Sequence, residues 1–181
     1  MQEYITEAIV LNSEPNGDLD SRVSLFTKQF GKLVAKAKSA RKITSKLSGH
    51  LQPGNLVQAR LVEKNGLQVV DALKQKAFRI APANLYFLDR LLAETEPDLK
   101  LWQILIEEKF DWSEILKLLG WDPKEARCAG CDAATPSFFY VRDQEFFCKR
   151  CALNLSKDDI IYVYPVGNQR ENIFSLEENT T

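Results

Sequence analysis

The sequence has only one histidine, one methionine and four cysteines among its 181 residues. His50 has no second histidine with which to form an H-E-x-x-H zinc site and no H-x-E partner of a zinc deaminase. Walker A, G-x-G-x-x-G and G-x-S-x-G motifs are also missing, and the acidic residues show no acid/base spacing. The sequence therefore favours a non-enzymatic protein, with no catalytic residues and no small-molecule substrate, in which His50 is a surface loop residue or, as the alternative, a phosphate contact.

Long hydrophobic runs are missing as well. No apolar stretch approaches the roughly 18 residues that a membrane-spanning helix needs. The opening residues MQEYITEAIV carry glutamates where a signal peptide would carry basic residues. These features predict a soluble, cytoplasmic protein without a membrane partner.

Charge is unevenly distributed along the chain. Residues 1–80 contain 13 Lys and Arg against 7 Asp and Glu, whereas residues 81–181 contain 11 against 18. No carboxylate occurs between Ser21 and Val62, although this stretch contains nine basic residues. Solvated surfaces normally mix both signs, so a segment of this kind is typical of a surface that binds a polyanion.

The first 80 residues have the pattern of five short strands separated by turn residues. Asn65-Gly66 stands between the last two strands and is a strong hairpin signal, because both residues tolerate positive φ. A longer segment, residues 41–54, follows the third strand as either a short helix or a mobile loop. The pattern predicts an N-terminal five-stranded barrel of the OB type.

Alternation along two of these strands predicts which side chains face outward. In GKLVAKAKSA the odd positions are small or apolar, which places Lys32, Lys36 and Lys38 on the outer face. The same alternation in RVSLFTK places Arg22, Phe26 and Lys28 outside, where an aromatic ring among cations would suit stacking on bases of a single strand. A bulge in the strand would instead turn Phe26 into the core.

The pattern changes to helices after Pro82. Apolar residues recur at helical spacing in three segments, residues 84–94, 99–110 and 111–120. These segments predict a small helical region that packs through its leucines and tryptophans. The predicted organisation is thus a barrel (1–80), a helical region (81–123), a metal-binding module (124–166) and a polar tail (167–181), an α+β multidomain architecture.

The four cysteines form two C-x-x-C pairs, Cys128 with Cys131 and Cys148 with Cys151. Two such pairs separated by a short strand-turn-strand segment are a strong signal for a structural Zn²⁺ with four thiolate ligands, in a zinc ribbon or a related finger. Two disulfides or two redox pairs are the alternatives, and a reducing compartment together with the lack of a βαβ setting disfavours both. A shell of four cysteines leaves no position for substrate, so the ion is expected to stabilise the fold.

These parts, in this order, resemble the RecO family of bacterial recombination mediators. The resemblance lies in residues 7–61, in LYFLDRLLAETEPDLKLWQIL and in LLGWDP followed by CAGC and CKRC. It implies a nucleoid-associated protein that binds single- and double-stranded DNA, anneals complementary strands and assists RecA loading with RecR and single-stranded-DNA-binding protein. It further implies phosphate contacts by Arg22, Lys28, Lys32, Lys36, Lys38, Arg41, Lys42 and Lys46, a base contact by Phe26, and zinc binding by the four cysteines.

Two other functions are compatible with the residues alone. An OB barrel combined with a zinc ribbon also occurs in RNA-binding proteins and in transcription or translation assembly factors, and fold does not fix function. A protein-interaction scaffold, in which the acidic helical half binds and the cations only confer solubility, is the third.

Overall fold

A computed structural model describes residues 2–163, and it divides into two compact units between Phe110 and Asp111. The barrel unit comes first and contains five strands, one helical turn between the third and fourth strands, and two helices after the fifth strand. Its strands are β1 (Gln2–Asn16), β2 (Asp20–Thr27), β3 (Gly31–Ala37), β4 (Asn55–Glu63) and β5 (Leu67–Ala77). Its helices are α1 (Leu47–His50), α2 (Pro82–Leu91) and α3 (Leu99–Ile106).

The five strands close into a barrel in the order β1-β2-β3-β5-β4. All pairs are antiparallel except β3 with β5, which pair in parallel at only two positions, Lys36 with Gln68 and Ala37 with Val69. Asn65 (φ 52°) and Gly66 (φ 100°) both have the positive φ that the hairpin prediction requires. The loop nevertheless has three residues, since Glu63 pairs directly with Leu67.

The inner face of the barrel is aliphatic and follows the predicted alternation. Val23 and Leu25 of β2 and Ala35 and Ala37 of β3 all belong to one buried cluster. Burial of this cluster is the main stabilising contribution to the barrel, at about 25 cal/mol per Å² of apolar surface.

Part of the outer face of β1 and β2 is buried too. Residues 8–11 of β1 and 23–27 of β2 are buried at every position, which one packed face cannot explain. Helix α2 packs against β1, and the ring of Trp102 in α3 lies 6.0 Å from the ring of Phe26 in β2. The two helices therefore cover part of the barrel wall, and the strands beneath them are apolar on both faces.

The segment between α2 and α3 also closes against the barrel. The backbone N–H of Thr95 donates to the carbonyl of Lys32 (2.9 Å), and Glu94 forms a parallel bridge with Lys32. A Cβ at Gly31, where φ is 67°, would lie 2.2 Å from the carbonyl oxygen of Glu96. Only glycine fits at this turn, because the backbone of the helical segment occupies the space of a side chain.

The connection between β3 and β4 is a series of turns that ends in the single helical turn α1. Buried Asn55 donates from its side chain to the carbonyls of Gly49 (3.2 Å) and His50 (3.0 Å). Leu51 inserts into the barrel core, and His50 accepts a hydrogen bond at Nδ1 from the backbone of Lys74 (3.1 Å). Of the two predicted alternatives, a short helix is present as the single turn α1, within a connection that hydrogen bonds anchor to the barrel, and His50 has a structural hydrogen bond.

The second unit, called here the cysteine unit, contains α4 (Trp112–Leu118), β6 (Phe138–Tyr140), β7 (Glu145–Phe147), α5 (Lys149–Ala152), a 3-10 turn (Lys157–Asp159) and β8 (Ile160–Tyr162). Its three strands pair in the order β7-β6-β8. Asp111 caps the start of α4, since its carboxylate accepts from the backbone N–H of Glu114 (3.1 Å). Helix α4 groups with the cysteines rather than with α2 and α3, and the predicted polar tail, 167–181, lies outside the described residues, as do residues 164–166.

Candidate nucleic-acid surface and metal centre

Six of the predicted phosphate-binding cations occur together at one part of the barrel and the connection that leaves it. Arg22 of β2 and Lys36 of β3 are direct cross-strand partners, and both are exposed on the outer face. Lys38 lies two residues after Lys36, and the remaining three cations lie in the β3–β4 connection. We call this set the basic surface: Arg22, Lys36, Lys38, Arg41, Lys42 and Lys46.

Two members of the basic surface also bind groups of the barrel itself. Lys36 forms an ion pair with Asp20 (2.8 Å), and the Arg41 guanidinium donates to the carbonyls of Gly17 (3.0 Å) and Asp18 (3.3 Å). Arg41 thereby ties the β3–β4 connection to the β1–β2 turn. These contacts hold Lys36 and Arg41 at defined positions. They also place the negatively charged Asp20 carboxylate beside the cations.

The pKa of Asp20 reflects this setting. The hydrogen bond from Lys36 and then that from the backbone of Ser39 hold it below its ordinary value, against a smaller opposing effect of desolvation. Asp20 is therefore ionised at neutral pH and offsets part of the positive charge. Among the described residues, no hydrogen bond or ion pair engages the side chains of Arg22, Lys38, Lys42 or Lys46.

An exposed isoleucine lies within the basic surface and was not singled out from the sequence. Ile43, between Lys42 and Thr44, is fully exposed. The sequence could have indicated this exposure, because a β-branched apolar residue in a turn-forming basic segment has no packing partner close in sequence. A side chain of this kind contributes apolar contact to whatever covers the basic surface.

Lys28 and Lys32 do not belong to the basic surface. Lys28 directly follows the last residue of β2 and lies six residues beyond Arg22, which corresponds to roughly 20 Å along a strand. Lys32 is largely buried, with 11% of its side chain exposed, and it donates to the backbone carbonyl of Asp89 and pairs with the Asp89 carboxylate at 3.6 Å. The prediction that Lys32 lies free in one row of lysines is wrong, because α2 places a carboxylate over that part of β3.

The stacking prediction for Phe26 is also wrong. The side chain leaves the barrel on the outer face, as the alternation indicated, but it is 0% exposed. It packs beneath Trp102 of α3, so no base can reach the ring while the helix is in place. The physical reason is the cover that α3 provides, since β2 keeps its register with β3 throughout.

The four cysteines of the second unit come together as predicted. Their Sγ atoms all lie within 4.8 Å of one another, and those of Cys131 and Cys148 are 3.7 Å apart. We call this set the sulfur cluster: Cys128, Cys131, Cys148 and Cys151. Four thiolates at such distances could bind one metal ion.

Backbone hydrogen bonds hold the first cysteine loop against β7. The N–H of Ala129 donates to the carbonyl of Phe146 (2.8 Å), and the N–H of Cys148 donates to the sulfur of Cys128 (3.2 Å). A Cβ at Gly130 would lie 2.9 Å from the sulfur of Cys151. The absence of a side chain at Gly130 therefore lets the two cysteine loops approach each other.

The thiols of the sulfur cluster influence one another's ionisation. Burial opposes ionisation of Cys128, but hydrogen bonds from the backbone of Cys148, Gly130 and Cys131 and from the Cys131 thiol outweigh it and lower its pKa to about 6. Hydrogen bonding to Cys131, and then to the other two thiols, raises the pKa of Cys151 to about 12. The cluster thus stabilises negative charge on the buried sulfur, which is the form of cysteine that binds metals.

No helix among residues 2–163 is both long and apolar enough to cross a membrane.

The comparisons with known proteins all find similarity to RecO proteins. The family model described as "Recombination protein O N terminal" matches residues 1–78. DNA repair protein RecO of Thermodesulfovibrio yellowstonii is 28% identical over 176 residues, covering 82% of this chain and 70% of the relative. The RecO protein of Bacillus subtilis is 26% identical over 196 residues, covering 94% and 75%, and that of Cutibacterium acnes is 37% identical over 70 residues, covering 39% and 28%.

These alignments include both the barrel that carries the basic surface and, in the longer matches, most of the remaining chain. The resemblance inferred from the sequence is thereby confirmed. Most of this chain is therefore similar to RecO proteins.

Proposed function

We propose that this protein acts in recombinational DNA repair by binding single- and double-stranded DNA, without sequence specificity and without catalysing a reaction. The observation that carries the proposal is the basic surface, in which Arg22 and Lys36 lie side by side on the barrel and four further cations continue into the β3–β4 connection. The names of its relatives, DNA repair proteins, support the biological setting.

The chemistry of the basic surface suits phosphates rather than bases. Arginine and lysine contacts to phosphate fix the position of a nucleic acid but carry no sequence information. The one aromatic ring predicted to stack, Phe26, is buried, so affinity is expected to come from charge neutralisation and counterion release. The barrel, with its parallel β3–β5 closure, we interpret as an OB-type barrel, a fold that frequently binds oligonucleotides.

We further propose that the protein anneals complementary strands and assists RecA loading together with RecR-like and single-stranded-DNA-binding proteins. Annealing fits a surface that neutralises two phosphate backbones and ignores their bases. Similarity to RecO proteins supports the partner proteins, and no residue of this chain is assigned to their binding.

We propose one structural Zn²⁺ as the ion of the sulfur cluster. Four sulfurs bonded to Zn²⁺ at about 2.3 Å in a tetrahedron lie about 3.8 Å apart, close to the 3.7 Å between Cys131 and Cys148. When bound, the ion would cross-link the loop of Cys128 and Cys131 to α5, which begins directly after Cys148. The module fits a zinc ribbon, and the ion has no open position for substrate.

The DNA-binding proposal is tested by neutralising three exposed lysines that make no hydrogen bond or ion pair within the described residues, Lys38, Lys42 and Lys46, each to Gln. Each lost phosphate contact on single-stranded DNA should change the slope of log K against log salt by about 0.7. We expect the slope to become shallower by about 2 for the triple variant, to a similar extent on unrelated sequences. Fluorescence anisotropy with labelled oligonucleotides at several salt concentrations measures this change.

A matched variant controls for net charge. Lys64, Lys74 and Lys100 are exposed lysines of the same unit that lie outside the basic surface, and changing all three to Gln should leave the slope within error of the unmodified protein. Equal effects of both triple variants would contradict a localised binding surface. Strict preference for structured RNA, with no strand annealing, would support the RNA-binding alternative instead.

A further inference from the structure

The barrel has an open pocket at the end where β1 and β5 begin and the β2–β3 turn lies. It is a cavity of about 490 Å³. The side chains that define it, together called the acidic pocket, are Tyr4, Phe30, Leu33, Glu63, Leu67 and Glu94. None of them belongs to the basic surface, and the proposed DNA binding does not use them.

The floor of the acidic pocket is the exposed end of the barrel core. Tyr4, Leu33 and Leu67 pack against the buried cluster while remaining only half-buried. The core is open here because β3 pairs with β5 only at its last two residues, so the first half of β3 does not close against β5. The ring of Tyr4 stands edge-on to Phe30 with centroids 5.5 Å apart, which leaves aromatic surface at the mouth.

Among residues 2–163, two carboxylates and no cation line the pocket. Glu63 and Glu94 are both exposed, and neither forms an ion pair with any Lys or Arg in the described part of the chain. Lys32, the neighbour of Leu33, is turned toward Asp89, and Lys64, the neighbour of Glu63, does not line the cavity. The pocket is therefore negative, although it belongs to the basic half of the chain.

Tyr4 connects the apolar floor with the charged rim. Its hydroxyl donates to Oε2 of Glu63 at 3.3 Å. Partial burial and the Glu63 carboxylate both raise the pKa of Tyr4, so the ring stays neutral and its hydroxyl orients that carboxylate. Two π-faces, two carboxylates and an aliphatic floor are what a guanidinium group with its methylene stem contacts most favourably.

We propose that the acidic pocket binds an arginine side chain presented by a partner protein. The methylenes would lie on Leu33 and Leu67, the guanidinium would contact the rings of Tyr4 and Phe30, and Glu63 and Glu94 would accept its hydrogen bonds. Charge complementarity decides the class of partner, because the same carboxylates repel the phosphates of DNA. The proposal does not depend on DNA binding by the basic surface.

The probe is N-acetyl-arginine N-methylamide, with the corresponding citrulline derivative as an isosteric uncharged control. We expect saturable shifts of the methyl NMR signals of Leu33, Val34 and Leu67 with the arginine probe. An exposed ion pair contributes up to about 1 kcal/mol, so the citrulline probe should bind about fivefold more weakly. Absence of saturable shifts at these methyls, or equal affinity of the two probes, would overturn the proposal.

Variants then test whether Glu63 and Glu94 provide the preference for arginine. Glu63→Gln with Glu94→Gln should remove the preference for arginine over citrulline, whereas Glu7→Gln, an exposed glutamate of β1 outside the pocket, should retain it. Methyl spectra without probe show whether each variant is folded. Retention of the preference in the double variant, or tighter binding of thymidine than of the arginine probe at the same methyls, would also refute an arginine site.

Discussion

In the barrel unit five strands enclose a continuous aliphatic cluster, whereas the three strands of the cysteine unit are three residues long each. The cysteine unit has a small aromatic core, in which Phe139 is fully buried and touches Trp121 and Phe146. Ionised sulfurs within 4.8 Å of one another repel, so a bound cation would stabilise the two cysteine loops. The contrast shows apolar burial ordering one region and, on the zinc proposal, metal coordination ordering the other.

Metal removal is expected to produce the largest difference in stability between the two units. A strong chelator under reducing conditions should unfold residues 111–163 and leave the barrel folded, since structural Zn²⁺ binding provides about 10–16 kcal/mol in comparable modules. In ¹H–¹⁵N spectra the amide signals of Phe139 and Ile161 should collapse while those of Ala59 and Leu61 persist. Loss of both sets of signals, or no zinc by elemental analysis and unchanged spectra, would contradict the comparison.

Truncation of Phe26 tests the double-sided burial of the barrel wall. Phe26→Ala should destabilise the barrel unit by about 3–5 kcal/mol, because a fully buried ring and its contact with Trp102 are lost. Denaturant unfolding followed by Trp102 fluorescence measures it, with the other two tryptophans changed to Phe. Phe26→Leu serves as the control for ring stacking, since it keeps most of the apolar volume and should bind single-stranded DNA like the parent. A large loss of DNA affinity in folded Phe26→Leu would restore the stacking role.

In the described part of each unit, one glycine lies so close to a neighbouring atom that no side chain fits. Substituting these two glycines tests whether the two units are stabilised in different ways. Gly31→Ala should destabilise the barrel unit by about 2–4 kcal/mol, because a backbone carbonyl cannot move aside and φ is positive. Gly130→Ala should instead weaken zinc binding, because its Cβ would displace the sulfur of Cys151. Thermal unfolding and competition with a chromophoric chelator measure the two effects. Crossed results, with Gly31→Ala changing metal affinity, would show that the units are not independent.

The smallest expected effect is the pH response of the Asp20 and Lys36 pair. Because the folded-state pKa of Asp20 is lowered, the pair stabilises the barrel fully above the unfolded pKa of about 3.9, and this contribution is lost as pH falls through the lower folded value. A carboxyl ¹³C titration should show a midpoint below that of an unperturbed aspartate. In Lys36→Gln the midpoint should move upward, and an unchanged midpoint would show that the ion pair is not formed in solution.

The strands and the cysteine cluster could be predicted from the sequence because both are encoded locally. Alternation in β3 fixes the side on which Lys36 and Lys38 lie, and two C-x-x-C pairs joined by a hairpin bring four sulfurs together. The environment of Phe26 could not be predicted in the same way. Its direction follows from β2 alone, but the helix that covers it begins more than 70 residues later.

The environment of Lys32 likewise could not be predicted from the neighbouring sequence. A count of basic residues in β3 includes it, but Asp89, which binds it, lies 57 residues further along the chain. The number of cations available to a polyanion is therefore smaller than the composition of residues 21–62 indicates. Local sequence defines where a side chain points, and distant sequence decides whether solvent reaches it.

The contact between Gly31 and Glu96 has a consequence for where this protein can be divided. The family model that matches the barrel ends at residue 78, but the compact unit continues to Phe110. A fragment cut at residue 78 would leave the apolar outer wall around Phe26 uncovered and the edge of β3 without Thr95, and both are templates for self-association. The shortest fragment expected to fold without aggregating therefore includes the helical segment that follows the strands.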